Sequence, residues 1–393
     1  MSLREHHRAE AEAMCSLEVD RSGAVRPGAA QAALAGGEPE YLAWGPDDAA
    51  SPVEVLATLG SVELEYAAIR RGAALVDASA RAMIKIEGSD AVGVLDSLLT
   101  QKIDPQTKVS PAFLLARTGR IVADMLVVQH EDRIMLDVDA VDAAAVTSHI
   151  EGAVFTEDVQ LHQATDWQVM EVHGPRAEAL LQACGLQWPP PGGVCIGLIE
   201  EAEIMAAHWS VTGGPGARLY VQRHHASQVW MKLHEVGRLE ASPCRTTGWY
   251  AFNMARVEAC TPWWHIDYGP SSLPHETGVL ASRVRFDKGC YPGQEVVARM
   301  QHLGHPKQIL RQLDLPDQRL PVAGAQVFDG QEEGLGNPVG VITSSAPAPL
   351  KGNQGVALAV LRWAHATPGS KVTCVADGEV ITADVHAIEE GGD

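Results

Sequence analysis

The chain has no run approaching the roughly 18 uninterrupted apolar residues that a membrane span requires. Its polar start, Met1-Ser2-Leu3-Arg4-Glu5-His6-His7, lacks the apolar segment of a signal peptide. It also has no Cys-x-x-Cys pair: seven cysteines, at 15, 184, 195, 244, 260, 290 and 374, are scattered singly. An odd, dispersed set argues against a disulfide framework and against a preformed tetrahedral metal site, and it suits a reducing cytosol. Cations are scarce, with 30 Lys and Arg against 50 Asp and Glu, and the resulting formal charge of −20 would repel nucleic acid and anionic membrane alike. The expectation is a soluble cytoplasmic protein with neither as partner and with no metal site of its own.

What is there is a globular composition over 393 residues, enough for two or three domains. Residues 1–60 carry weak periodicity broken by Gly and Pro, and read as an irregular or partly helical lead-in. Order becomes legible with a short amphipathic helix from Glu63 to Arg71 and a strand around Ala74 to Val76. An internal repeat follows. Ile84-Lys85-Ile86-Glu87-Gly88-Ser89 leads into a helical Ala91 to Leu99, and Val169-Met170-Glu171-Val172-His173-Gly174-Pro175 leads into a helical Arg176 to Cys184. Each is answered by a second strand and helix, from Arg133 and from Arg218. Gly88 to Gly174 is 86 residues and Arg133 to Arg218 is 85. That near-constant offset predicts two related α+β units, each a small sheet with helices on one face, within 61–307. Past Pro306, short strand candidates at Ile309–Leu313, Gln326–Phe328, Val339–Thr343, Val356–Leu361 and Lys371–Val375, with a final pair near Val380 to Val385, predict a small β-barrel over 308–393.

The chemistry concentrates in Lys288-Gly289-Cys290-Tyr291-Pro292-Gly293-Gln294-Glu295. Two glycines and a proline mark a tight exposed turn that presents a thiol, a phenol, an amine and a carboxylate. Lys288 beside Cys290 could favour the thiolate by charge. The flanks hold six cations, Arg283, Arg285, Lys288, Arg299, Lys307 and Arg311, against Asp287 and Glu295. This is either a cationic patch for an anionic ligand or a set of ordinary solvated strand faces. Strand candidates Ala112–Ala116 and Ile121–Val128 join through a hairpin turn at Arg117-Thr118-Gly119-Arg120, and the second carries Asp124, which lies either on a solvated face or among buried partners. His302 and His305 invite a metal reading, but with no second cysteine nearby and no shared strand face they make a poor ligand set.

With these pieces in hand, the chain from about residue 61 to its end resembles the folate-binding family related to the glycine cleavage T-protein. It looks most like the YgfZ branch, whose members assist iron-sulfur cluster assembly or repair. The carrier is the turn itself, since Lys-Gly-Cys-Tyr-x-Gly-Gln-Glu is that branch's signature. Supporting matches are Gly248-Trp249-Tyr250-Ala251-Phe252 through Arg256-Val257-Glu258-Ala259, Leu273-Pro274-His275-Glu276, and Val339 to Ser345. The resemblance implies a ring of three lobes, two from the repeat and one barrel, around a channel for tetrahydrofolate.

The same resemblance exposes departures. The T-protein's catalytic aspartate is the second of an Asp-Asp pair; here the pair reads Ala123-Asp124. Its Gly-Tyr-Thr-Gly-Glu-Asp-Gly-x-Glu loop resembles Ser210 to Arg218, with the terminal glutamate replaced by Arg218, and an arginine before Arg-x-Glu-Ala becomes Phe252. A pterin offers an N–H and an amino group side by side, which suit a carboxylate, whereas arginine has only donors. The resemblance therefore implies Cys290 and Asp124 as reacting groups and Lys288, Trp249, Tyr291 and Arg218 as positions near the folate, with folate held differently or more weakly than in the T-protein. Three functions follow as expectations: a tetrahydrofolate-binding accessory protein serving iron-sulfur clients through Cys290, a folate-dependent one-carbon transferase using Asp124, and a non-catalytic protein-binding scaffold.

Overall fold

Gly88 and Gly174, the landmarks of the repeat, both adopt left-handed backbone, at φ 120° and 109°. Each is also closely packed: a Cβ on Gly174 would lie 2.5 Å from the Gly72 carbonyl oxygen, and one on Gly88 would run into the Asp158 carbonyl. Only glycine satisfies both demands, so the same strand-to-helix turn is fixed twice. The structure is a computed structural model that describes residues 3–8, 39–45, 53–106, 108–131, 133–239, 244–330, 336–352 and 354–389.

Two compact units result, one gathering Met1–Met83 with Gln163–Asn253, the other Ile84–His162 with Met254–Asp393. The first holds a six-stranded sheet in the order Val194–Ile199, Ala202–His208, Gly216–Gln222, Trp167–His173, Ala73–Asp77, Cys244–Thr246. The second holds a five-stranded sheet ordered Val109–Leu115, Ile121–His130, Arg133–Asp139, Arg81–Glu87, Gln160–Gln163. The orders correspond: a hairpin, the repeat's second strand, its first strand, and then the strand that precedes the other repeat. The repeat read from sequence is thus real. The strand Ala73–Asp77 pairs antiparallel with Trp167–His173 through Ala74↔His173, so a strand preceding the first repeat joins the second repeat's sheet, with Cys244–Thr246 at its edge.

In the first unit, Met170, Val172, Leu219 and Val221 of the sheet bury against Leu180 and Leu181 of the helix Ala177–Ala183 and Val229, Trp230 and Leu233 of the helix Arg223–Leu239. Burial of each such side chain contributes about 1.5–3 kcal/mol. Part of the expected lead-in is ordered: strands Glu40–Trp44 and Val53–Thr58 pair antiparallel, and a helical segment spans 3–8. Residues 1–2, 9–38 and 46–52 lie outside the described residues. Buried Glu65, in the helix Val62–Arg71, accepts from Thr58 Oγ1 at 2.8 Å, Leu59 N at 2.7 Å and Gly248 N at 2.9 Å, and so ties three segments together.

The C-terminal strands close a six-stranded barrel in the order Gln308–Asp314, Gln354–Arg362, Pro338–Ala348, Gln326–Asp329, Lys371–Ala376, Glu379–His386, returning to Gln308–Asp314 through Gln312↔His386. The final pair expected near Val380 to Val385 is one strand, whose alternate residues Ile381, Ala383 and Val385 point into the barrel core.

Candidate functional site

The turn from Lys288 sits in the second unit and runs directly into a helix, Gln294–Leu303. Gly293 is the helix N-cap at φ 80°, and a Cβ there would lie 2.7 Å from the Ala116 carbonyl oxygen beside the hairpin turn. Tyr291 is buried with Phe113, Leu115, Ile121, Trp264 and Tyr268, and burial pushes its phenol up to about 12. Gln294 donates from Nε2 to the Gly289 carbonyl at 3.5 Å, and Glu295 pairs with Arg299 one turn along the helix at 2.9 Å.

Lys288 is turned into the fold. Its side chain is 1% exposed and turns to the end of the helix Ala91–Leu98. There Nζ donates to the Leu99 carbonyl at 2.8 Å, the Gln101 carbonyl at 3.0 Å and the Asp96 carbonyl, with Asp96 Oδ1 at 3.4 Å. An ammonium has three donors, and three carbonyls left unpaired at a helix C-terminus take them. Burial lowers its pKa, while Asp96 acts the other way. Lys288 therefore anchors the turn, its donors directed to these carbonyls. Cys290 is exposed, the one exposed cysteine among the described residues. Burial raises the thiols of Cys184, Cys260 and Cys374 to about 11.

Four of the other flanking cations also have partners in the protein. Arg283 is turned inward, and Arg285 pairs with Asp287 at 3.1 Å and Arg299 with Glu295. Arg311 donates from Nε to the Ala366 carbonyl at 2.8 Å. His302 lies on a helix and not on a strand, and the His305 ring stacks on Trp363 at 4.9 Å. Among the described residues, no group of His, Cys, Asp and Glu could hold a metal ion.

Asp124 is buried in the strand Ile121–His130 of the second unit and shares the core of Phe113 and Tyr291 through Tyr268. Tyr268 donates its hydroxyl to Oδ2, and Arg283 Nε donates to Oδ1 at 3.0 Å. Burial, reinforced by the Asp124 charge, raises the Tyr268 phenol well above its ordinary range. Of the two readings for Asp124, the solvated face is the one the structure overturns. A carboxylate among apolar neighbours needs such donors.

Trp249 and Arg218 belong to the first unit, joined by a chain of contacts that the sequence reading missed. Arg218, 1% exposed, places Nε 2.8 Å and Nη2 2.6 Å from Glu171 Oε1, and its guanidinium lies 4.0 Å over the Trp209 ring. Glu171 Oε2 is 2.8 Å from His173 Nε2. The His173 ring meets Phe252 at 5.3 Å; Phe252 meets Trp249 at 5.8 Å; and Trp249 lies edge-on to Trp44 at 5.0 Å. Burial works against the Glu171 charge, yet Arg218 and His173 hold its carboxyl at about 2. Arg218↔Glu171 is a cross-strand pair, and a glutamate in the apolar run Val169 to Val172 facing an arginine was the available signal.

These bonds test the fit to a pterin. A pterin's adjacent N–H and amino donors call for a free carboxylate. At position 218 there is none, and on the neighbouring strand the Glu171 oxygens take Arg218 and His173. The residues at these positions do not fit the carboxylate contact that the resemblance implies.

The model of the GCVT N-terminal domain family matches residues 55–288. Among curated relatives, an aminomethyltransferase of Geobacillus kaustophilus is 28% identical over 78% of this chain and 84% of its own length. One of Desulfitobacterium hafniense is 25% identical over 82% and 87%. Among solved structures, the glycine cleavage system aminomethyltransferase T of Bartonella henselae is 22% identical, with a TM-score of 0.76 over 89% of this chain and 93% of that one. The fold is thus that of the T-protein, mixed α+β with a closed barrel. The matched segment ends at Lys288, so Cys290 lies beyond it.

Proposed function

The chain belongs to the GCVT N-terminal domain family, and we propose that within it this protein is a tetrahydrofolate-binding accessory protein of the YgfZ type, serving iron-sulfur cluster assembly or repair through the thiol of Cys290. The observation that carries the reading is subtractive. Lys288 anchors the turn, Tyr291 fills the core, Gly293 makes the left-handed N-cap, and Gln294 and Glu295 support the turn and the helix that follows it. Cys290 is left exposed, with no packing task to explain it. A glycine-rich turn that holds a thiol in solvent suits a group that engages a client protein's cluster or sulfur.

The test is rescue of a strain lacking such a factor. The wild-type protein should restore its iron-sulfur enzymes and Cys290→Ala should not, with an unchanged melting temperature because the side chain is exposed. Equal rescue would remove the thiol from the mechanism.

A second reading, folate-dependent aminomethyl transfer, is favoured by the names of the relatives and by the retained Asp124. Weighing against it is the engagement of both Asp124 oxygens by Tyr268 and Arg283. Methylene-tetrahydrofolate formed by the purified protein from a lipoyl-carried aminomethyl group would establish it.

A further inference from the structure

The ion pair at the first unit's sheet bears on how any folate is recognised, and the inference rests on the folate reading above. Glu171 and Arg218 face each other on adjacent strands, 2% and 1% exposed, and His173, fully buried, takes the second carboxylate oxygen. His173 Nε2 faces the carboxylate, and its Nδ1 is buried without a hydrogen-bond partner. That nitrogen is closed off by Gly216, where a Cβ would come within 2.5 Å of it. Trp209 covers the other side of the guanidinium. Both carboxylate oxygens are therefore engaged, Oε1 by Arg218 and Oε2 by His173, and at this cluster no acceptor pair faces outward.

We infer that Arg218 is a specificity-determining residue: by pairing with Glu171 it removes the carboxylate that would read a pterin's amino edge, so this protein holds tetrahydrofolate without discriminating that edge. The half-buried Trp249, linked to the cluster through Phe252, is the aromatic surface that remains for ring stacking.

The test is calorimetric titration of the full chain with tetrahydrofolate and with its 2-desamino-2-methyl analogue, which lacks the amino donor. A free carboxylate would favour the natural ligand by roughly tenfold or more, the worth of one charge-assisted hydrogen bond. The two affinities should agree within about threefold. A tenfold preference for the amino compound would overturn the inference and leave the folate reading standing. If the wild-type protein binds neither compound, Arg218→Glu with Glu171→Gln decides. Gain of tetrahydrofolate binding supports the inference and removes folate from the proposed function; no gain in a folded variant overturns the inference as well.

Discussion

Lys288→Met removes the ammonium while keeping most of the apolar stem. Three carbonyls, of Asp96, Leu99 and Gln101, lose their donor, and the ion pair with Asp96 is broken. Each hydrogen bond from a charged donor contributes about 1.5–3 kcal/mol in isolation. The three share one nitrogen, and burying that nitrogen has its own cost of several kcal/mol, so they do not add. Asp96, 35% exposed, is left in reach of water and carries little of the loss. A net destabilisation of about 3 kcal/mol follows, which for a unit of this size lowers the melting temperature by about 6–12 °C. Because the ammonium also fixes the turn, alkylation of Cys290 under native conditions should change together with stability. Lys288→Arg should recover only part of the loss, since a planar guanidinium cannot converge its donors on three carbonyls around one point. A melting temperature within about 2 °C of wild type, with Cys290 alkylation unchanged, would refute the anchoring role.

Acid should loosen the first unit through His7. This ring is fully buried, 3.0 Å from the Tyr41 hydroxyl and edge-on to Trp230 at 5.2 Å, and burial, with His234 and His6 nearby, lowers its pKa to about 3. A depressed folded-state pKa contributes stability that is whole above about 6.5 and is lost as pH falls toward 3, so about 1.4 kcal/mol should vanish between about pH 7.5 and 5.5. Urea midpoints at the two pH values measure this, and an equal loss in His7→Gln would dispose of it. Limited alkylation followed by peptide mapping should find Cys290 modified well ahead of Cys184, Cys260 and Cys374; comparable rates at Cys184 would contradict the burial argument. Gly88→Ala and Gly174→Ala should each cost more than about 2 kcal/mol, because both positions combine left-handed backbone with a crowded Cβ site. A melting temperature unmoved by either would break the structural equivalence drawn from the repeat.

The repeat and barrel were legible in sequence because their signals are local. A strand, a glycine turn and a helix recur at a fixed offset, and short alternating strands separated by Gly and Pro need no partner to be recognised. The site was legible only as a list of residues. Lys288 stands two positions from Cys290, yet its acceptors lie 192, 189 and 187 residues away, and the turn sends the two side chains to different surroundings. Asp124 takes its donors from 144 and 159 residues away, in a connection with no regular pattern. The helix Gln294–Leu303 was hidden because Gly293 and the two residues after it read equally well as the end of a turn. Arg218 was identified as a departure, but Glu171 was read only as part of a strand. Seeing them together required the strand register.

Asp124 remains the residue on which the two functional readings divide, and Tyr268 separates them. A carboxylate has about four lone-pair sites, and Tyr268 and Arg283 fill one on each oxygen. For aminomethyl transfer, a folate nitrogen must approach one oxygen, and the Tyr268 hydroxyl is the weaker, uncharged competitor. Tyr268→Phe keeps the ring within its apolar cluster and costs about 1.5–3 kcal/mol of stability through the lost bond to the carboxylate. If Asp124 performs the transfer, the variant should form methylene-tetrahydrofolate at least as fast as wild type, because an oxygen has been released. If the protein is an accessory factor, neither form makes product, and Tyr268→Phe still supports iron-sulfur enzymes at temperatures where it stays folded. Product formation by the wild type that disappears in a folded Tyr268→Phe variant would show both accounts of the Asp124 partners to be wrong, since the hydroxyl would then belong to the reacting machinery and not to the lock around it.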